Sequence, residues 1–316
     1  MMQQLQGSKL NGYDNQPLFV YQWTAIPSPK ALVLIAHGMA EHGGRYEAFA
    51  SYLNKQGYAV AASDHRGHGR TAGADHLLGQ IGSDGFHKIV EDQRVLVETF
   101  KTRFPDTPVI LLGHSFGSFI TQEFMIRYGR LIDGVILSGT TVNAGIDVCL
   151  GAKLAAIQER LFGGEKPAAL LDKVAFSGNN DGFDDADLSD AAWLSRDTEA
   201  VRSYDADPYC GTLFPIVFYK ELFTSLPKLV EPERLRMVPK SLPVLLISGD
   251  RDPVGKNGTG VITLKRMYDQ LGLTDVTMTL YPNGRHEMLN EINRREVFDD
   301  VRNWLETILS EEEALR

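Results

Sequence analysis

Gly113-His114-Ser115-Phe116-Gly117 sets a serine between two glycines, after the apolar run Val109-Ile110-Leu111-Leu112 and before an apolar, helix-like stretch from Phe119 to Tyr128. That pattern suits a nucleophilic serine on a sharp strand-to-helix turn, where a Cβ two positions before or after it would strike the neighbouring strand or helix. A plain glycine-rich turn satisfies the same five residues, so the serine's partners decide. A serine hydroxyl is a poor nucleophile at neutral pH and needs a base, usually a histidine oriented by a carboxylate. In doubly wound α/β enzymes built on this turn, the chain order is serine, acid, histidine. Of the eight histidines, only His286 lies beyond Ser115. It follows the apolar run Val276 to Leu280 and precedes the last helical segment, which puts it in a loop at a strand's C-terminal end, where the active groups of open α/β sheets gather.

The acid belongs in the loop Gly249-Asp250-Arg251-Asp252-Pro253-Val254, after the run Val244 to Ser248. Two aspartates compete. Asp252 lies further round the turn and just before a proline that fixes the loop, which favours it as the partner of the histidine's second nitrogen; Asp250 then reads as a turn or backbone-capping residue. A tetrahedral intermediate also needs two N–H donors aimed at its oxyanion. Phe116, following the nucleophile at the start of a helix, supplies one; Met39, in the loop His37-Gly38-Met39 after the run Ala31 to Ala36, is the candidate for the other.

These groups need a sheet to hold them. Short apolar runs recur at Ala31 to Ala36, Tyr58 to Ser63, Val109 to Leu112, Val135 to Leu137, Val244 to Ser248 and Val276 to Leu280, and read mostly as buried parallel strands. Helical periodicity lies between them at Tyr46 to Gln56, Phe86 to Phe104, Thr121 to Tyr128, Ile262 to Leu271 and Glu291 to Leu309, which makes the fold class α/β with both sheet faces covered. Ser8 to Trp23 instead predicts an antiparallel hairpin at a sheet edge. The rhythm breaks between about Asn143 and Lys240. There an insertion of helices and loops is expected, with Leu150, Leu154, Ile157 and Leu161 on one helical face, a second apolar segment at Phe214 to Phe223, and an acidic loop carrying Asp181, Asp184, Asp185, Asp187 and Asp190.

The chain of 316 residues carries a formal charge of −9, with lysines and arginines scattered, so neither nucleic acid nor adhesion to an anionic membrane through a basic surface is expected. Cys149 and Cys210 form no metal-ligand pair and read as small apolar fillers. With no signal-peptide pattern over Met1 to Gln22 and no run of roughly 18 apolar residues, a cytoplasmic, reducing setting is expected.

His37-Gly38-Met39-Ala40-Glu41-His42-Gly43-Gly44-Arg45-Tyr46, Asp64-His65-Arg66-Gly67-His68-Gly69-Arg70, the serine pentapeptide, Gly249 to Val254 and Arg285-His286-Glu287, in that order, resemble the α/β-hydrolase family of monoacylglycerol lipases and lysophospholipases, a serine aminopeptidase S33-type group. The resemblance implies an α/β-hydrolase fold, a mostly parallel doubly wound sheet with a helical cap inserted at 143–237 between core segments 1–142 and 238–316. It implies Ser115, Asp252 and His286 as a catalytic triad and the Met39 and Phe116 N–H groups as the oxyanion hole. Inside the cap only Trp193-Leu194-Ser195-Arg196-Asp197 and Asp207-Pro208 match. The implied activity is serine hydrolysis of lipid-like carboxylic esters, of the monoacylglycerol or lysophospholipid class, through an acyl-enzyme on Ser115. Such an enzyme takes a small lipid-like ester, makes at most transient contact with a membrane surface through its cap, and needs neither cofactor nor metal; His65 and His68, with Asp64 and His76 nearby, then read as a structural loop. Two alternatives remain. A proline-iminopeptidase-like aminopeptidase would need cap carboxylates such as Glu159, Glu165 or the acidic run to read a free amino group. A non-catalytic ligand-binding homologue would keep the scaffold without turnover.

Overall fold

A computed structural model describes residues 6–142, 145–183 and 189–315. Its strands are β1 (Gln6–Asn11), β2 (Pro17–Trp23), β3 (Leu32–Ala36), β4 (Ala59–Ser63), β5 (Val109–His114), β6 (Gly134–Ser138), β7 (Val244–Gly249) and β8 (Val276–Tyr281). Every residue of β3 through β7 is buried, which explains why their sequences are continuously apolar and do not alternate. Alternation persists in where the side chains go: Leu32 and Leu34 join one core cluster, Val33 and Ile35 the other. The strands form an eight-stranded sheet in the order β1-β2-β4-β3-β5-β6-β7-β8. All neighbours from β4 to β8 are parallel, and β1 and β2 close one edge as the expected antiparallel hairpin.

The helices are α1 (Glu47–Lys55), α2 (Gly69–Ala72), α3 (Gly85–Arg103), α4 (Phe116–Tyr128), α5 (Ile146–Phe162), α6 (Ala169–Phe176), α7 (Thr198–Ala206), α8 (Ile216–Ser225), α9 (Pro232–Leu235), α10 (Thr259–Gln270) and α11 (Arg294–Leu315). Residues of α1 and α11 pack on one sheet face, and those of α3, α4 and α10 on the other. The last helix begins later than its periodicity suggests. Glu291 is extended, at φ −78 and ψ 165, and its carboxylate accepts from Arg196 Nε at 3.0 Å and the Arg285 N–H at 2.9 Å, so helical turns start only at Arg294.

Helices α5–α9 lie in the chain between β6 and β7, a segment that adds no strand to the sheet among the described residues. The onset read near residue 143, and Asp184, Asp185 and Asp187 of the acidic run, fall outside the described residues. The apolar stripe on α5 points the other way from the usual amphipathic reading: Leu150, Ile157 and Leu161 are exposed, while Val148, Gly151 and Ala155 are buried. Close packing against α8 is the reason, because a Cβ on Gly151 would come within 3.0 Å of the Phe223 ring. Among the described residues no helix is long and apolar enough to cross a membrane.

Candidate active site

Parallel register sets β3, β5, β7 and β8 with their C-terminal ends along one edge, Ala36 opposite Gly113 and Gly249 opposite Tyr281. Ser115 stands alone between β5 and α4, with φ 51 and ψ −118, a backbone conformation that L-residues avoid at a cost of about 1–3 kcal/mol. The surroundings enforce it. Ser115 N–H donates to Ser138 O at 2.9 Å, and Gly113 and Gly117 let strand and helix touch. A Cβ on Gly117 would lie 2.0 Å from Ala36 O, and one on Gly113 would lie 2.4 Å from Gly117 O.

His286 Nδ1 bonds Asp252 Oδ1 at 2.9 Å, with both side chains fully buried. The Asp252 carboxylate also accepts from Ser248 Oγ at 3.1 Å and from the Val254 N–H at 2.9 Å. With the proton on Nδ1, the lone pair is on Nε2, which is buried and has no hydrogen-bond partner among the described residues. Burial by itself would lower the His286 pKa, but the charge and hydrogen bond of Asp252, helped by Glu287 and Glu41, outweigh it and the net shift is upward. Burial likewise opposes ionisation of Asp252, yet its partners, His286 first, hold its pKa below the usual carboxylate value. Asp250 takes a different part: its Oδ1 accepts from the Asn283 N–H at 2.7 Å, as a turn residue should.

Ser115, Phe116, Met39 and His286 all line one cavity of about 580 Å³. The Phe116 N–H, at the first residue of α4, and the Met39 N–H make no hydrogen bond among the described residues. Gly38 leaves room at this point, since a Cβ there would sit 3.3 Å from Ser115 Cβ and 2.7 Å from Glu41 Oε1. Trp193, from the segment between β6 and β7, lies with its ring 4.8 Å from that of His286, and its carbonyl accepts the His286 N–H at 3.3 Å.

A family description of serine aminopeptidases, type S33, matches residues 27–293. The chain belongs to this S33 family. A monoacylglycerol lipase of Mycolicibacterium smegmatis is 33% identical over 288 residues, covering 90% of each chain. The monoglyceride lipase of Homo sapiens is 28% identical over 296 residues, covering 92% of this chain and 88% of its own. A carboxyl esterase from Bacillus coagulans, solved in complex with glycerol, has a TM-score of 0.89 and 26% identity, covering 98% of this chain and 100% of that one. The fold is accordingly the α/β-hydrolase fold.

Ser115, His286, Met39 and Phe116, expected from the sequence, line this cavity, with Asp252 bonded to His286, while sequence reasoning missed the residues that brace them. Arg45 Nη1 bonds Glu41 Oε2 at 2.7 Å, and its two nitrogens grip Glu287 at 2.6 and 2.7 Å, tying the Met39 loop to the His286 loop. The Tyr204 ring covers the guanidinium at 4.9 Å. Burial would raise the Glu287 pKa, but Arg45 holds it down to about 2. The spacing Glu41 to Arg45 was visible as an acid and a base four apart; the long-range partner was not. Removing the cation strands two buried carboxylates, so Arg45→Met should cost about 3–5 kcal/mol in a urea unfolding experiment at pH 7, and less at pH 5, where the stranded acids can take up protons.

Two groupings invite a metal reading in this S33 chain. His42, Asp207 and Cys210 bring their ligand atoms within 4.8 Å of one another. His42 Nδ1 accepts the Gly44 N–H at 3.1 Å, so the proton sits on Nε2 and is donated to Asp207 Oδ2 at 3.0 Å. The lone pair a cation needs is therefore engaged, and burial pushes the Cys210 thiol up, away from thiolate. In the other grouping Asp64 accepts from the Gly43 and Arg70 N–H groups at 2.8 and 2.7 Å, and His65 and His68 bond the His37 and Arg66 carbonyls at 3.0 and 2.9 Å. His76 is exposed. These bonds fit the structural-loop reading.

Proposed function

We propose that this protein hydrolyses carboxylic esters of lipid-like substrates, monoacylglycerols or lysophospholipids in class, through an acyl-enzyme on Ser115. The observation that carries this reading is the buried His286, bonded to Asp252 through Nδ1 and presenting an unpartnered Nε2 in the wall of the cavity that Ser115 also lines. Ser115 Oγ attacks the ester carbonyl while His286 Nε2 takes its proton; the imidazolium then gives that proton to the departing alcohol. Water, deprotonated by His286, attacks the acyl-enzyme and releases the acid. Asp252 holds the ring and stabilises the imidazolium, and the Met39 and Phe116 N–H groups receive the oxyanion.

Residues 143–237 act as the cap over this site in this reading. Val148, Val174, Leu222, Phe223 and Leu226 of that segment line the cavity with Phe119 of the core, an apolar wall suited to an acyl chain, and the volume falls in the range of small-molecule sites. The outer sides of the same helices, α5 and α6, expose Ile146, Leu150, Phe162 and Leu170, which supports transient contact with aggregated lipid. The aminopeptidase reading loses its cap glutamates, since Glu159 pairs with Lys220 at 2.6 Å and neither it nor Glu165 lines the cavity, and keeps Asp190 of the acidic run, which does. A substrate panel tests the choice. Monoacylglycerols and lysophospholipids of graded chain length should be turned over at least about 100-fold faster, as kcat/KM, than a prolyl arylamide; the opposite ranking would overturn the proposal.

A further inference from the structure

The first two peptide groups of the loop that follows β3 are anchored at three of their four polar ends. The His37 carbonyl accepts from His65 Nε2 at 3.0 Å, and the Gly38 N–H of the same peptide donates to Glu41 Oε1 at 2.5 Å. In the next peptide, the Gly38 carbonyl is bonded by His37 Nδ1 at 2.8 Å. The other end of that peptide is the Met39 N–H. In a trans peptide C=O and N–H point in opposite directions, and no cis bond occurs among the described residues, so a carbonyl drawn back onto His37 leaves the Met39 N–H facing away from it.

The direction of the His37 bond is settled by its other nitrogen. The His65 backbone N–H donates to His37 Nε2 at 2.9 Å, so Nε2 must offer a lone pair and the ring proton must be on Nδ1. We infer that His37, locked in this tautomer by His65, is a positioning residue that aims the Met39 N–H at the developing oxyanion; the inference rests on the ester-hydrolase reading. Burial, reinforced by His65 and His68 close by, pushes the His37 pKa well below the ordinary imidazole range, so the ring stays neutral while the enzyme works. An anchor is required because Gly38 has no Cβ to resist rotation of the 38–39 peptide. A flipped peptide would turn a carbonyl oxygen toward Ser115 in place of the N–H donor.

The test compares full-length wild type, His37→Phe, His37→Asn and Ser115→Ala on a p-nitrophenyl acyl ester, with an alkyl boronic acid as an anionic tetrahedral analogue and a long-chain alcohol as a ground-state competitor. Phe keeps the ring and loses the donor. Asn places an amide N–H where Nδ1 stands. For His37→Phe, kcat should fall about 100-fold, KM and alcohol binding should change less than about threefold, and boronate affinity should fall in step with kcat. His37→Asn should recover about tenfold of the loss. Unchanged boronate affinity in His37→Phe, or equal losses in the Phe and Asn variants, would overturn the inference. Should His37→Phe fail to fold, His37→Leu, which also lacks the donor, takes its place, with boronate affinity expected to fall about 100-fold while alcohol binding holds; loss of both together, or of neither, would count against it. Turnover by wild type and none by Ser115→Ala keeps the hydrolase reading whatever His37 does, whereas an inert wild type brings down both.

Discussion

Ser115→Ala should lower kcat for acyl esters by about 10⁵-fold or more and abolish labelling by a fluorophosphonate, with little change in unfolding free energy. The size follows from how the serine is held. Its backbone is fixed at φ 51 by the Ser138 carbonyl and by two glycines that no larger residue could replace without striking backbone, so alanine inherits the geometry and loses only Oγ. His286 Nε2 then has no proton to accept from the protein, and hydrolysis falls to what the oxyanion donors and binding support on their own. His286→Ala should cost about as much, and the double variant little more, because the two groups act in one step. Equal labelling of wild type and Ser115→Ala, read by intact mass, would remove Ser115 as nucleophile and with it the acyl-enzyme.

How much of this could be read in the chain depended on how local the signal was. The buried strands β3 through β7 announced themselves because every residue must be apolar when helices cover both faces. His286 stood out by position alone, as the one histidine beyond Ser115. The segment between β6 and β7 was far less legible. Helices α6 and α9 are short, at 8 and 4 residues, and the stripe that α5 does carry faces outward because Gly151 and Ala155, too small to register as core, make the close contact. Arg45, Glu287 and His37 were missed as supports for a different reason: each is defined by a partner on another loop, and a hydrogen bond between loops leaves no spacing in the sequence. Trp193 was seen only as part of a familiar-looking stretch, although its ring lies against His286.

Asp252→Asn should lower kcat about 10⁴-fold and also move the pH dependence, whereas Asp250→Asn should change kcat less than about threefold. In wild type His286 must be neutral to take the Ser115 proton, and its pKa is raised because Asp252 outweighs burial. Activity is therefore present above that raised pKa and lost as pH falls through it, so the acid limb of kcat/KM lies above about 6.5, the ordinary imidazole value. Asparagine removes the charge and leaves the ring just as buried, so desolvation dominates and the limb moves to lower pH. Turnover nevertheless drops at every pH. The amide can present N–H to Nδ1 and favour the tautomer with its proton on Nε2, its oxygen then accepting from Ser248 Oγ where Oδ2 stood, while the Val254 N–H loses the oxygen it shares with His286. Stopped-flow acylation across pH 5 to 9 separates the effects: a lower plateau reports the tautomer, and a displaced midpoint reports the lost charge. A large loss in Asp250→Asn with Asp252→Asn near wild type would exchange their roles, against the bond of Asp250 to the Asn283 N–H and that of Asp252 to His286.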